Sequence, residues 1–135
     1  MQPEIYEISF KDSPIIQVDR VIKPNRDHFS FFNLNEGLPY IMEAWKRSAA
    51  FRHTRIRERG LYFLCLLTRN RKIEDAIRIG GYDSIQKSAL LITEVELSAL
   101  LVDEICFETK QYENREEKPK ESYFEMTLVE EELIK

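Results

Sequence analysis

The chain is short of glycine, the residue on which nucleotide-binding loops depend. Its 135 residues include four glycines, at positions 37, 60, 80 and 81. Their spacing forms neither a P-loop nor a dinucleotide-binding fingerprint. A nucleophile elbow and a His-Glu-x-x-His pair are also missing from the sequence. A small enzyme built on His53 or on a carboxylate pair stays an alternative. The chemical inventory favours a binding protein instead, without catalysis, cofactor or small-molecule substrate.

Cysteine and histidine are too few and too scattered to indicate a metal site. The two cysteines, Cys65 and Cys106, lie in separate apolar segments and form no Cys-x-x-Cys pair. The two histidines, His28 and His53, are far apart in the sequence. We therefore expect buried, reduced thiols and no bound metal.

Long apolar runs are absent as well. No run approaches the roughly eighteen residues of a membrane span, and the first ten residues lack the basic region and apolar core of a signal peptide. With 43% hydrophobic and 11% aromatic residues, the composition is that of a globular protein. We expect a single domain, residues 1–135, located in the cytoplasm and without a membrane partner.

Charge is unevenly distributed along the chain, although the net value is only -4. Residues 46–72, the basic segment, hold nine of the twenty lysines and arginines and one acid, Glu58, for a net charge of +8. Residues 73–135 hold sixteen acids and seven bases, for a net charge of -9. Segregation of this kind indicates a localised binding surface for an anionic partner.

The most informative stretch runs from Leu61 to Gly81. Its seven consecutive apolar residues, Leu61–Leu67, predict a strand buried on both faces. A cationic turn, Thr68–Lys72, follows. Apolar residues then recur at helical spacing from Ile73, and the Gly80-Gly81 pair predicts a left-handed helix end.

Patterning elsewhere predicts further strands and helices. The expected strands are Glu4–Phe10, Ile15–Ile22, Phe29–Phe32 and Ser88–Thr93. The expected helices run from Pro39 to Phe51, from Glu94 to Phe107, and from a capping box at Ser122–Glu125 towards the C-terminus. Residues 108–120 are predicted to be a mobile loop.

These elements predict an α/β (α+β) domain. Its central sheet is expected to be mixed and largely antiparallel, with helices packed on it and Leu61–Leu67 as a central strand. Over residues 61–93 a predicted strand is followed by a short helix and then by a second strand. This order predicts a right-handed crossover if the two strands are parallel.

Arg52–Gly60 is a basic run whose arginines alternate with other residues. An extended backbone would place Arg55, Arg57 and Arg59 on one side, whereas a helix would spread them around its axis. A solvated face is the ordinary explanation of such a run. Its position beside Leu61–Leu67, with Arg69, Arg71 and Lys72 following that segment, favours a binding role.

Residues 61–82 resemble the kinase-binding small subunit of the KEOPS complex, which makes threonylcarbamoyladenosine in transfer RNA. The shared pattern is a buried strand, a polar turn and Ile-x-x-Ala-[Ile/Leu]-x-x-x-Gly, the last present as Ile73-Glu-Asp-Ala76-Ile77-Arg-Ile-Gly80. The order of elements is similar from Phe29 to the C-terminus, while the first 28 residues match weakly. Many relatives have a glycine in the turn, where this chain has Arg69-Asn70-Arg71. We expect Asn70 to adopt the left-handed conformation there.

The resemblance implies a non-catalytic accessory subunit that binds the small atypical kinase of the complex and the single-stranded 3′ end of transfer RNA. The basic segment favours RNA binding independently, because its cations can neutralise phosphates and an apolar neighbour can support an unstacked base. The residues we assign to RNA are Arg52, Arg55, Arg57, Arg69, Asn70, Arg71, Lys72 and Ile73. Those we assign to the kinase are Tyr123, Phe124, Leu128 and Val129. The alternative is a protein-interaction module whose basic face binds an acidic partner without RNA.

Overall fold

The computed structural model describes residues 2–10, 27–82, 88–97 and 107–134. Within them the strands are β1 (Glu4–Phe10), β2 (Phe29–Phe32), β3 (Ser88–Thr93) and β4 (Phe107–Gln111). The helices are α1 (Leu38–Ser48), α2 (Arg59–Thr68), α3 (Ile73–Gly80) and α4 (Lys120–Leu133), with a 3-10 turn at Phe51–His53. The predicted α+β class is confirmed.

The chain divides into two compact units. The sheet unit comprises Met1–Asn33 and Tyr82–Tyr112, and the helical unit comprises Leu34–Gly81 and Glu113–Lys135. The four strands of the described residues belong to the former, and their four helices belong to the latter. Neither unit is continuous in sequence, so each is completed by residues that are distant along the chain.

The sheet has the strand order β2-β3-β1-β4. All three pairings are antiparallel, so the described strands include no parallel pair. The register places Tyr6 opposite Leu91, and Leu91 opposite Phe31. Since opposed residues share a face, the alternating apolar residues of these strands form one layer.

One face of the sheet carries an apolar cluster centred on Ile8, Phe29 and Leu91. Phe31 contacts Phe29 edge-on, with ring centroids 5.8 Å apart. The opposite face carries other buried residues, Ile5, Phe32 and Ile92. Both faces therefore have buried apolar residues, which explains why β3 reads as a nearly continuous apolar run.

The prediction of a strand at Leu61–Leu67 is wrong, because this segment lies inside helix α2. Six of its seven residues are buried, as expected for a central element. A helix buried on all sides has no polar face, so its apolar run carries no helical period. Arg59, Gly60 and Thr68 lengthen the element to ten residues. With α2 a helix and β3 antiparallel, the predicted crossover does not exist.

Two predicted segments are replaced by other structure. Residues 107–111 form β4, which pairs with β1, where the sequence predicted a loop from residue 108 and the end of a helix at Phe107. Exposed polar side chains suit such a strand at the edge of the sheet. Residues 112–119 have no regular secondary structure, but a hydrogen bond ties them to α1: the Leu38 amide donates to the Asn114 carbonyl at 2.8 Å. Residues 98–106 and the predicted strand Ile15–Ile22 lie outside the described residues.

The predicted ends of three helices also need correction. The last helix begins at Lys120 after Pro119, without a side-chain cap, so Ser122 does not form a capping box. Helix α1 ends at Ser48, before Phe51. Gly81, which follows α3, is extended, with φ -79° and ψ 159°, and is not left-handed. Its amide still closes α3 by donating to the Ile77 carbonyl at 2.8 Å.

Candidate nucleic-acid interface

The turn after α2 is a Schellman motif, the common way for a helix to end in a left-handed residue. The Asn70 amide donates to the Cys65 carbonyl at 2.9 Å, and the Arg69 amide donates to the Leu66 carbonyl at 3.3 Å. Arg69 takes the left-handed conformation, with φ 57° and ψ 43°. The prediction that Asn70 would do so is wrong by one residue. The turn is built without glycine.

Two neighbours hold the Arg69 side chain. Its Nη1 donates to the Tyr40 hydroxyl at 3.1 Å, and its Nε lies 3.3 Å from a carboxylate oxygen of Glu125. The guanidinium carbon also lies 5.6 Å from the centre of the Tyr40 ring. Burial raises the pKa of Tyr40, and the hydrogen bond from Arg69 opposes that rise. Tyr40 therefore stays a neutral acceptor for Arg69 at physiological pH.

The rest of the turn is more exposed. Arg71 Nη1 lies 3.2 Å from a carboxylate oxygen of Glu132, and both side chains are more than half exposed. The Asn70 side-chain amide donates to the Thr68 carbonyl at 3.1 Å. Lys72 is exposed and forms no ion pair with another described residue, and Ile73 is half-buried. The turn thus presents two paired arginines, an unpaired lysine and an apolar neighbour.

The backbone of the basic run before α2 is extended, which was one of the two conformations considered for it; the other was a helix. Thr54 and Ile56 are buried, and the Ile56 amide donates to Thr54 Oγ1 at 3.0 Å. Arg55 and Arg57 point outwards, and neither forms an ion pair with another described residue. Arg52, in the 3-10 turn, is also exposed, with its guanidinium 5.5 Å from the centre of the Phe51 ring.

Arg59 does not share the exposed side of the run. It is the first residue of α2 and only 8% exposed, with its guanidinium 3.8 Å from the centre of the Trp45 ring. Its Nε donates to Ser48 Oγ at 2.9 Å, and its Nη2 donates to the Trp45 carbonyl at 3.0 Å. Arg59 therefore caps the C-terminal end of α1 and belongs to the core.

Helix α4 and the residue that follows it contact both basic stretches. Glu125 contacts Arg69, Glu132 contacts Arg71, and Ile134 forms a β-bridge with Thr54 in the basic run. The helix therefore runs from the turn towards the basic run, and two of its acids, Glu125 and Glu132, contact arginines of the turn. We call the following residues on either side of α2 the basic strip: the cations Arg52, Arg55, Arg57, Arg69, Arg71 and Lys72, together with Asn70 and Ile73.

The residues assigned to a kinase contact divide into two pairs. Phe124 is 63% exposed and Leu128 is 44% exposed, and their spacing of four places them on one side of α4. Tyr123 is half-buried and packs edge-on against Tyr40, with ring centroids 5.3 Å apart. Val129 is buried. Only Phe124 and Leu128 offer a substantial apolar surface to a partner.

Other kinds of site find no support in the described part of the chain. Cys65 is free, and burial raises the pKa of its thiol to about 11, so the thiol is un-ionised at neutral pH. His53 is exposed, and His28 lies 3.7 Å from a carboxylate oxygen of Glu94. No cluster of three potential metal ligands occurs among the described residues. None of their helices is long and apolar enough to cross a membrane.

Comparison with protein-family models and with curated protein sequences finds no match for this chain.

Sequence reasoning missed Tyr40, Glu125 and Glu132, the partners of the two arginines. One signal could have found the acids: they are seven residues apart, about two helical turns, and so share a helix face. Their position in an acidic, exposed-looking stretch made solvation the obvious explanation. No local pattern marks Tyr40, which reaches Arg69 from another helix.

Proposed function

We propose that this chain is a non-catalytic accessory subunit of a KEOPS-type complex, which binds the 3′ end of transfer RNA and the small atypical kinase of that complex. In this role it supports the formation of threonylcarbamoyladenosine. The observation that carries the RNA-binding part is that Arg55, Arg57 and Lys72 are exposed and form no ion pair with another described residue. Cations in that state are available to phosphates.

The arrangement of the basic strip suits single-stranded RNA better than double-stranded RNA. Charge is confined to two short stretches on either side of α2, ten residues that rise by about 15 Å. That span corresponds to a few nucleotides of extended backbone. Ile73 lies beside the cations and is half-buried, so it can support an unstacked base while Lys72 binds the adjoining phosphate.

The test is binding of transfer RNA to the wild-type chain and to Arg69→Glu/Arg71→Glu across a salt series. We expect wild-type affinity to fall steeply with salt, and the variant to bind at least about tenfold more weakly at low salt. The control is Lys110→Glu/Arg115→Glu, which changes the net charge equally at exposed residues outside the basic segment. It should bind nearly as well as the wild type.

A second arm removes the 3′ single-stranded end from the transfer RNA. Because the proposal assigns the strip to that end, truncation should weaken binding to the wild type and have little further effect on the Arg69→Glu/Arg71→Glu variant. Unchanged affinity after both the charge reversals and the truncation would refute RNA binding. The alternative, a basic face that binds an acidic protein, would then be preferred.

Exposure of Phe124 and Leu128 supports the kinase contact as a separate part of the proposal. Two large apolar side chains on one helix face, with acids around them, suit a partner surface that is apolar at its centre and basic at its rim. Leu128→Glu should reduce capture of the cognate kinase at least about tenfold while the circular-dichroism spectrum is unchanged. Undiminished capture by the folded variant would exclude this surface.

A further inference from the structure

The arginines of the turn already bind carboxylates from α4. Arg69 contacts Glu125 at 3.3 Å and Arg71 contacts Glu132 at 3.2 Å. A carboxylate offers a guanidinium the same kind of charged acceptor oxygens as a phosphate does. Glu125 and Glu132 therefore occupy sites on these arginines that phosphates would need.

We propose that α4 is a built-in competitor of RNA, with Glu125 and Glu132 as phosphate substitutes that an incoming strand displaces from Arg69 and Arg71. This inference rests on the proposed RNA-binding function and adds the regulation of the same site. Displacement is feasible because both glutamates are more than half exposed, at 57% and 51%. The Arg71–Glu132 pair is exposed on both sides and so contributes little stability, which makes it the easier pair for RNA to break; Arg69 is only 25% exposed, so its pair with Glu125 is held more firmly.

The C-terminal end of α4 is already strongly negative. Its last turn contains Glu130, Glu131 and Glu132 and no basic residue. The unpaired carbonyls at this end of a helix add further negative charge, so the acids are unfavourably placed within their own helix. Contacts from outside the helix offset this: Arg47 Nη1 lies 3.6 Å from Glu130, and Arg71 contacts Glu132.

Pairing divides the basic strip into two groups. Lys72, Arg55 and Arg57 form no ion pair with another described residue, whereas Arg69 and Arg71 are held by α4. A long RNA strand meets the unpaired cations first and then competes for the paired ones. A single phosphate lacks the additional contacts that would offset displacing a carboxylate. The competitor thus favours extended polyanions over small anions.

The experiment compares transfer RNA binding by Glu125→Gln/Glu132→Gln with binding by the wild type at about 0.15 M salt, where charges more than about 8 Å apart are largely screened. Removing these two ion pairs should tighten binding about twofold to thirtyfold. The matched control is Glu121→Gln/Glu131→Gln, which removes the same charge from α4. Glu121 and Glu131 are exposed and form no ion pair with another described residue. The control should change affinity less than about twofold, because its charges are not on the arginines.

A second comparison repeats both variants in an Arg69→Gln/Arg71→Gln background, where the glutamates have no arginines to occupy. The gain from Glu125→Gln/Glu132→Gln should disappear there. Equal gains from the two glutamine pairs, or a gain that persists without the arginines, would overturn the competitor while leaving RNA binding intact. Absence of RNA binding by every protein, wild type included, would instead overturn the proposed function.

Discussion

Two arginines at opposite ends of α2 have opposite environments. Arg59, at the first residue, is 8% exposed and donates to the Trp45 carbonyl and to Ser48. Arg69, just past the last residue, has a left-handed backbone and contacts Tyr40 and Glu125 near the surface. One arginine is enclosed by the core, and the other is held by contacts that solvent can replace.

The difference shows that net charge in a segment does not measure its binding capacity. Arg59 contributes to the +8 of residues 46–72, yet its charge is used to cap α1. Position relative to α2 decides the outcome: the start of the helix faces the end of α1, while the turn after it faces α4. The comparison predicts a large loss of stability when Arg59 is replaced and only small losses when the side chain of Arg69 or Arg71 is replaced.

The largest effect should come from Arg59→Met, which keeps an apolar side chain and removes the donors. The Trp45 carbonyl and the Ser48 hydroxyl lose a charged partner, and the contact with the Trp45 ring is lost as well. We expect the free energy of unfolding to fall by about 2–4 kcal/mol, measured by urea denaturation. Arg57→Met, at an exposed arginine two residues away, should change it by less than about 0.5 kcal/mol. Similar effects at both positions would contradict the distinction.

Gly80→Ala should have the next largest effect, because Gly80, the last residue of α3, packs against Thr68 at the C-terminal end of α2. A Cβ at this position would lie 2.8 Å from Thr68 Cγ2, so we expect a loss of about 1–3 kcal/mol in urea denaturation. Thr68→Ser removes that methyl group and keeps the hydroxyl that donates to the Leu64 carbonyl at 2.7 Å. The double variant should therefore recover much of the loss. Strictly additive effects would show that the methyl group is not responsible.

A smaller effect is expected from the left-handed backbone of Arg69. Arg69→Ala and Arg69→Gly both remove the contacts with Tyr40 and Glu125, but only glycine is free of strain in this conformation. We expect the glycine variant to be more stable than the alanine variant by about 1 kcal/mol in parallel denaturation curves. Equal stabilities would indicate that the turn changes shape when the side chain is removed.

The smallest effect should come from Arg71→Gln, because the Arg71–Glu132 pair is exposed. We expect the free energy of unfolding to change by less than about 0.5 kcal/mol, with a decrease that vanishes in high salt. A loss above about 1 kcal/mol would mean that the turn depends on this pair for its structure. Arg69 and Arg71 would then no longer contrast with Arg59.

Much of the fold follows from local patterns in the sequence. The strands β1, β2 and β3 were predicted with their observed bounds, and so was α3. Each has a clear period or a clear boundary, such as the turn residues before Ile73. Strand β4 has neither, because five mostly polar residues at a sheet edge look like a loop until their pairing with β1 is known.

The error at α2 has a different cause. Seven apolar residues satisfy a buried strand and a buried helix equally, and length normally decides between them. The length was misjudged because Arg59 looked like part of an exposed basic run. Recognising it as the first helical residue requires knowing that Trp45 and Ser48 lie nearby, which is tertiary information.

Only part of the candidate site could be predicted, again because some of its features depend on tertiary contacts. Charge counting finds the cations on both sides of α2, and turn chemistry finds a left-handed residue within one position. Counting does not find which cations are paired. That depends on α4, whose acids lie more than fifty residues further along the chain. Long-range contacts therefore decide whether a basic stretch is available to a ligand.

The discontinuous units have a consequence for the order in which the protein is made. Synthesis proceeds through sheet, helical, sheet and again helical residues, and the 14 residues of α4 belong to the second helical segment. While the chain is still growing, the arginines of the turn have been made and their glutamate partners have not. A nascent or prematurely terminated chain would therefore carry an uncovered polycation, and the ribosome is itself a large polyanion. Only after the residues of α4 have been made can the chain pair Arg69 with Glu125 and Arg71 with Glu132.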